Sequence, residues 1–350
     1  MELTKRQIDI TKGVAILFML LLHLFCTKDY IGLFKPLIMF GNVPLIYYFA
    51  LFGDMCVAIY CFCSGYGLMI VYKNNEKTYI KKNIIRLLKL YVNFWIILII
   101  FVLVLGPILG LENNYPGSFK TFILTFLAID PAYNGAWWFL TTYILLVLAS
   151  PYINKIIIKY NPIVILILSF GIYFVAYIQR TMVPIVSHNE FINYLIRQSA
   201  LFGTSLFPYI VGGVFSDKNI YSKLSVMFNK LKLKNLKGIL LITLMIIAHG
   251  IVQTLFVAVF TGIGFVILFN LIEKPKWLDD TLCFLSKHST NMWLTHMFFY
   301  MIYFKKLVFA PKYPILIFIW LVVLCVISSY CVNIFYKPIV KIIDKKLNYK

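Results

Sequence analysis

Charged residues are scarce in this sequence. Only 13% of its 350 residues are Asp, Glu, Lys or Arg, whereas about a quarter of the residues of a typical soluble domain are charged. Hydrophobic residues make up 61% of the chain, and the mean hydropathy is +0.87. This composition excludes a soluble globular domain and predicts an all-α polytopic membrane protein. Since no long polar stretch is left over, we expect residues 1–350 to form a single membrane domain without a separate soluble domain.

Acidic residues are rarer still, with 13 Asp and Glu against 33 Lys and Arg, which gives a net charge of +20. The basic residues lie between apolar runs, where cytoplasmic loops hold them, so the charge does not indicate a nucleic-acid partner. Five of the seven cysteines lie inside apolar runs, which argues against a disulfide framework. Cys61 and Cys63 have the wrong spacing for a zinc knuckle, so we expect no metal site.

About ten apolar segments have the length of membrane-spanning helices. We expect crossings at residues 8–26, up to 72, 90–109, 137–152, 162–177, 200–215, 238–249, 250–272, 289–303 and 314–335. The seventh and eighth come from one long apolar stretch, divided at His249-Gly250. Residues 119–129 are apolar but too short, and Asp130-Pro131 ends them, so they are interpreted as a re-entrant or interfacial piece. The first apolar run is followed by Cys26, Thr27 and Lys28, so no cleavable signal peptide is expected.

The distribution of Lys and Arg predicts the orientation. With the amino terminus inside, 25 of the 33 basic residues fall on inner segments and 8 on outer ones. This asymmetry favours an even number of crossings with both termini in the cytoplasm. Lys305, Lys306 and Lys312 fall outside and do not follow the rule.

The first crossing carries the most informative polar residues. Lys12 lies eleven positions before His23, so on a helix the two side chains are separated by roughly 20° of rotation about the axis. Asp9 lies roughly 40° from His23 on the other side. Such a polar stripe must face protein or water, because ionisable groups are costly in contact with lipid. A lone histidine at this place would equally fit a structural role. The lysine and aspartate on the same face favour a functional site.

Four motifs extend across the chain in order: Lys12-Gly13 with His23, Phe62-Cys63-Ser64-Gly65-Tyr66, the basic run 81–88 with Trp137-Trp138, and Leu285 through Ser289 to His296. Together they resemble the integral-membrane acyltransferases of the acyltransferase 3 family, many of which O-acetylate bacterial surface glycans. The family pattern has arginine, ten residues and histidine, so Lys12 stands here in place of the arginine. Lysine keeps the charge but lacks the bidentate fork.

The resemblance implies a multi-pass O-acyltransferase of a bacterial cytoplasmic membrane. Such an enzyme moves an acyl group, usually acetyl, from cytoplasmic acyl-coenzyme A to a hydroxyl of a cell-surface or secreted glycan or a lipid-linked sugar. No bound cofactor is implied, since acetyl-coenzyme A is the donor substrate. His23 is the expected base, with Lys12 and Asp9 beside it as catalytic residues. Lys12, Arg86 and Arg6 are the expected donor-binding cations.

Other candidate residues have two interpretations. Ser64, Trp138 and His296 belong either to the acceptor site or to the structural framework. Trp137 and Trp138 are interpreted first as interfacial anchors. Asp54 should face the protein interior or the outer interface. His188, His249 and His288 are expected in loops or turns, without a role.

A different functional class is also open. The polar stripe could serve a transporter or flippase for a small polar molecule or a lipid-linked sugar. The lack of an internal repeat weighs mildly against a transporter. Consumption of acyl-coenzyme A would discriminate between the two. The sequence does not identify the sugar, the hydroxyl or the oligomeric state.

Overall fold

The computed structural model describes residues 2–111 and 113–347. Within these residues the chain is mainly helical, and eight helical segments are long and apolar enough to cross a membrane. They are Lys5–Phe25, Leu45–Asn74, Glu76–Ile108, Gly135–Lys159, Pro162–Thr181, Glu190–Asp217, Lys234–Ile251 and Pro314–Lys346. The predicted class, an all-α polytopic membrane protein, is confirmed.

The elements follow one another in chain order. The helices are α1 Lys5–Phe25, α2 Leu45–Phe52, α3 Cys56–Asn74, α4 Tyr79–Leu98, α5 Gly106–Ile108, α6 Phe119–Phe126, α7 Trp138–Lys159, α8 Pro162–Thr181, α9 Glu190–Asp217, α10 Ile220–Asn229, α11 Lys234–Ile251, α12 Leu255–Leu271, α13 Lys276–Met297, α14 Lys305–Phe309 and α15 Pro314–Lys346. Two-residue strands β1 Met39–Phe40 and β2 Val43–Pro44 form an antiparallel hairpin after α1. Wider π-helical turns extend α4 through Ile99–Leu105 and α13 through Phe298–Ile302.

Most predicted crossings correspond to a helix. The division at His249-Gly250 is confirmed within a few residues, because α11 ends at Ile251 and α12 begins at Leu255. The short segment at 119–129 holds only the eight-residue helix α6. The ninth crossing is different, because it falls on the second half of α13 and its π-helical turn. That helix is not among the eight apolar segments, since charged residues in its first half and Ser, His, Thr and Asn in its second half lower its hydropathy.

The basic run before the third crossing lies on a helix rather than in a loop. The crossing was predicted to begin at residue 90, but α4 begins at Tyr79 and includes Lys81, Lys82 and Arg86. Lysine and arginine are good helix formers, so the helix continues past the apolar region toward the basic end. The apolar pattern therefore locates the crossing but not the first residue of the helix.

The chain forms two compact units. The first comprises the chain up to Cys26, Ile46–Tyr79 and Leu145–Lys287. Its largest helix–helix interface joins α3 and α9. A Cβ at Gly65 would lie 2.8 Å from the carbonyl carbon of Tyr209, and one at Gly212 would lie 2.8 Å from that of Phe62. The two glycines therefore let the two backbones touch, which is how small residues act in membrane helix packing.

The second unit comprises Thr27–Leu45, Ile80–Ile144 and the chain from His288 onward. In its core, the rings of Phe94 and Phe298 pack edge to face on the ring of Trp137. A buried polar network joins α4 and α13, because the Asn93 side-chain amide donates to Asn291 Oδ1 over 2.6 Å. Asn291 in turn donates to Ser329 Oγ on α15 over 2.9 Å. Buried polar groups paired in this way fix the register of the three helices.

Candidate active site

Helix α1 carries the catalytic residues predicted from the sequence. It is unbroken from Lys5 to Phe25, so the helical spacing of Asp9, Lys12 and His23 applies directly. The three side chains are partly buried. The eleven-residue separation corresponds to roughly 16 Å along the axis at about 1.5 Å per residue. A cation near one end and an imidazole near the other end therefore lie on one side of a single rigid element.

Hydrogen bonds fix the beginning of α1 in the first unit. Thr4 caps the helix through a capping box with Gln7, which satisfies two of its first backbone N–H groups. The hydroxyl of Tyr66 donates to Glu2 Oε2 over 2.6 Å and accepts from the backbone N–H of Leu3 over 3.0 Å. Tyr66 closes the motif on α3, so this motif residue anchors the segment that leads into α1.

A second set of bonds reaches α1 from α10 and α12. Asn270 donates from Nδ2 to Thr11 Oγ1 over 2.8 Å, and Tyr221 donates to the carbonyl of Asn270 over 2.7 Å. Burial raises the pKa of Tyr221 to about 12, so its hydroxyl stays protonated as a donor. Tyr60 on α3 donates to the carbonyl of Lys12 over 3.2 Å. The turn that carries Lys12 is thus held from both sides.

Glycine allows α1 to touch its neighbours at two places. A Cβ at Gly13 would lie 2.7 Å from the carbonyl carbon of Leu282 on α13. A Cβ at Gly53, which follows α2, would lie 3.1 Å from the carbonyl carbon of Phe18. The Lys12-Gly13 pair of the motif therefore combines a cation with a backbone contact. This contact gives a physical reason for a glycine directly after the cation.

The charges near the beginning of α1 differ in their partners. The guanidinium of Arg6 pairs with Asp280 over 2.6 Å, and both side chains are about half exposed. In the described part of the chain, Lys12 forms no ion pair within 4.0 Å, with Asp9 or with any other carboxylate. Lys12 is therefore the better candidate for an anionic ligand. Orientation of Lys12 by Asp9 and donor binding by Arg6 stay predictions.

Ser64 lies on the same unit but is bonded within its own helix. Its hydroxyl donates to the carbonyl of Tyr60, one turn earlier, over 2.7 Å. The next residue, Gly65, is the packing contact with α9. These contacts account for the Ser64-Gly65 pair in structural terms, and they leave an acceptor-binding role of Ser64 as a prediction.

Arg86, Trp138 and His296 belong to the second unit. Arg86 donates to Asn83 Oδ1 on its own helix over 2.8 Å. His296 is fully buried, and its Nδ1–H donates to the carbonyl of Trp293 over 2.8 Å. A backbone carbonyl only accepts, so this bond selects the tautomer in which Nε2 of the neutral ring carries the lone pair. His296 is thereby prepared as a hydrogen-bond acceptor or base.

Two of the sequence motifs interlock within the second unit. Trp137 donates from Nε1 to the carbonyl of Leu294, and Trp293 donates to the carbonyl of Ala136, both over 2.9 Å. Asn134 adds a bond from Nδ2 to the same Leu294 carbonyl over 3.0 Å. Trp137 is only 2% exposed, so its prediction as an interfacial anchor is wrong. The buried indole instead ties the beginning of α7 to α13.

One polar pair was missed from the sequence. His249 was expected in a loop without a role, but it lies buried on α11 with Nε2 3.2 Å from Asp54 Oδ2. Thr261 on α12 lies 3.4 Å from the other ring nitrogen. Burial of Asp54 inside the protein is confirmed, with 7% of its side chain exposed. An ionisable residue in each of two apolar segments was the available signal, because such residues need a partner.

His288 and His188 complete the histidines. His288 was also expected in a loop, but it lies buried on α13 and shares a hydrogen bond of 2.8 Å between Nδ1 and Ser329 Oγ. His188 lies in the exposed non-helical segment before α9, as predicted. Among residues 2–111 and 113–347, no three His, Cys, Asp or Glu side chains group as metal ligands.

Comparison with known proteins assigns the chain to a family. The family model described as an acyltransferase domain matches residues 5–334, which is nearly the whole chain. No curated protein and no solved structure matches it. The match covers all four motifs, from Lys12 to His296, and the helices that carry them. The chain is a membrane acyltransferase and belongs to the acyltransferase 3 family.

Proposed function

We propose that this acyltransferase is an O-acyltransferase of a bacterial cytoplasmic membrane. It moves an acyl group, acetyl in the commonest case, from acyl-coenzyme A on the cytoplasmic side to a hydroxyl of a cell-surface or secreted glycan or lipid-linked sugar. The observation that carries this proposal is that the unbroken helix α1 presents a cation, Lys12, and an imidazole, His23, on one side. Contacts from α3, α10, α12 and α13 support that helix.

The imidazole of His23 acts as the general base. It takes the proton of the acceptor hydroxyl while the hydroxyl oxygen attacks the thioester carbonyl. The carbon–sulfur bond then breaks, and the proton is delivered to the departing thiolate, so the reaction needs no external acid or base. An imidazole suits this task because its unperturbed pKa lies near neutral pH. The partial burial of His23 keeps the reacting hydroxyl away from bulk water.

The cations near the beginning of α1 and on α4 hold the donor. The phosphates of coenzyme A need positive groups, and Lys12 has no carboxylate partner in the described part of the chain. Arg86 and Arg6 are the other proposed donor-binding cations, and Asp280 partly neutralises Arg6. The pantetheine arm is narrow and spans a distance comparable to the roughly 16 Å between Lys12 and His23. This length lets the phosphates stay at the cytoplasmic rim while the thioester reaches His23.

The test follows label from acetyl-coenzyme A into glycan. Purified protein in detergent receives labelled donor and a membrane-glycan extract. We compare wild type with His23→Ala, and His188→Ala serves as the matched control because His188 lies in an exposed loop. Transfer by wild type and the control, but not by His23→Ala, is the expected result. Equal transfer by all three would remove His23 as the base and make His296 the next residue to test.

A second comparison, between two substitutions of Lys12, tests its role in donor binding. Lys12→Arg keeps the charge and Lys12→Ala removes it. If Lys12 binds donor phosphates, Lys12→Ala raises the KM for acetyl-coenzyme A while Lys12→Arg stays close to wild type. A protein that stays folded, binds no donor and transfers no label would contradict the proposal and favour transport of a small polar molecule or lipid-linked sugar.

A further inference from the structure

An unusual cluster of lysines lies on the side of the membrane predicted to be outside. It occupies two connecting segments, residues 27–45 after α1 and residues 303–313 before α15, which we call the lysine surface. Together they contain one acid, Asp29, and the five lysines Lys28, Lys35, Lys305, Lys306 and Lys312. They hold five of the eight basic residues on predicted outer segments, with a net charge of +4. Basic residues are normally depleted on outer loops, so this cluster requires an explanation.

The structure brings the two segments together in the second unit. The backbone N–H of Lys35 donates to the carbonyl of Lys312 over 2.7 Å. Leu45 N–H donates to the carbonyl of Ile38 over 2.9 Å and closes the β1–β2 hairpin. Residues more than 260 positions apart thus form one surface. The side chains of all five lysines are exposed.

Four of the five lysines of this surface take part in none of the salt bridges in the described part of the chain. These four are Lys35, Lys305, Lys306 and Lys312. A few lysines on the predicted inner side do have a carboxylate partner, as Lys73 has in Asp217 over 3.1 Å and Lys234 in Glu273 over 2.6 Å. Unneutralised positive charge attracts and concentrates anions, and the attraction falls with ionic strength.

Exposed rings accompany the lysines. Phe40 on the hairpin is 70% exposed, and Tyr313 beside Lys312 is 45% exposed. An aromatic face next to cations suits a sugar ring that carries a negative group, because the ring offers C–H bonds to the aromatic face while the anion meets the lysine. All five lysines lie after the end of α1 or before the beginning of α15, outside the bounds of both helices.

We propose that the lysine surface binds the acceptor, and that the acceptor is an anionic glycan whose charge comes from phosphate or carboxylate groups. The inference rests on the proposed function for the identity of the acceptor as a glycan. The inference goes beyond the proposed function because it names the charge class of the glycan and the surface that selects the glycan. The surface raises the local concentration of the polymer and does not touch the reacting atoms.

Direct binding is the first test, because it does not depend on catalysis. The probe is a short oligosaccharide with phosphodiester links, compared with a neutral oligosaccharide of the same length, both without donor. The protein is kept in a neutral detergent free of anionic lipid. The test variant is Lys305→Gln/Lys306→Gln/Lys312→Gln. The matched control is Lys337→Gln/Lys341→Gln/Lys345→Gln, which removes three exposed lysines from α15 on the predicted inner side.

Wild type and the control variant should bind the phosphodiester probe more tightly than the neutral one. The test variant should lose roughly tenfold in affinity for the charged probe, since three exposed charges each contribute about 0.2–1 kcal/mol. Added salt should remove the preference in wild type. Equal binding of both probes by wild type, or unchanged binding by the test variant, overturns the proposal. So does a test variant that loses only its affinity for vesicles of anionic phospholipid, which would assign the surface to lipid headgroups.

Transfer of label is measured separately on the same proteins. An increased KM for the charged acceptor in the test variant, with kcat unchanged, places the surface in acceptor capture. Absence of label transfer from acetyl-coenzyme A to any acceptor by wild type would contradict the proposed function. The binding comparison then still decides whether the lysine surface selects anionic glycans.

Discussion

Gly13→Ala tests how closely α1 must pack to hold the site. The added Cβ would lie 2.7 Å from the carbonyl carbon of Leu282, whereas unstrained carbon atoms are about 3.5–4.0 Å apart. The Leu282 atom that the new Cβ meets belongs to the backbone and cannot move away as a flexible side chain could. The two helices must therefore separate locally by about 1 Å. Overpacking of this kind costs about 1–3 kcal/mol. The better helix propensity of alanine, about 1 kcal/mol, offsets part of that cost.

Gly67→Ala is the matched control. Gly67 also lies inside a helix, α3, but a Cβ there would meet no atom within 4 Å. Thermal unfolding in detergent should therefore occur at a lower temperature for Gly13→Ala and at the same or a higher temperature for Gly67→Ala. Acyl transfer should fall more than stability alone accounts for, because Lys12 is displaced together with its turn. A Gly13→Ala variant that unfolds at the wild-type temperature and transfers acyl groups at the wild-type rate would refute the argument.

Three further substitutions test other parts of the structure through the same unfolding measurement. His249→Ala leaves the buried Asp54 carboxyl group without its partner and should cost about 1–3 kcal/mol, and recovery in Asp54→Leu/His249→Leu would confirm that the unpaired polar group is the cause. Tyr66→Phe removes the hydroxyl that joins α3 to Glu2 and Leu3, in the segment before α1, and should cost about 1–3 kcal/mol, whereas an unchanged unfolding temperature would mean that this anchor is dispensable. Asn291→Ala breaks the buried network of the second unit and should lower stability by a similar amount, and a neutral result would argue against its role in helix register.

The apolar pattern predicted most of the fold because lipid imposes it. A crossing must be helical and about 20 residues long, so hydropathy located even the division between α11 and α12. The apolar pattern failed outside the lipid-spanning segments, where this constraint no longer applies. The apolar run begins near residue 90, but α4 starts at Tyr79 because a helix can continue into water when lysine and arginine supply its propensity.

Long-range pairs could not be predicted, because sequence spacing says nothing about which helices touch. Asp54 and His249 are 195 positions apart, and neither position alone indicates its partner. Trp137 looked like an interfacial anchor, yet its indole is bonded to the Leu294 carbonyl in the core. The spacing of Lys12 and His23 could be used because both lie on one helix.

The most direct measurement for the role of α1 is a single-turnover rate. Protein saturated with labelled acetyl-coenzyme A is mixed with acceptor, and label in the glycan is followed for wild type, His23→Ala and His188→Ala. A missing general base typically costs about 10²–10⁴-fold. We expect His23→Ala to lose at least 100-fold in this rate while it still binds donor, and we expect His188→Ala to match wild type. A His23→Ala variant with the wild-type rate would contradict the central role of α1 in the chemistry.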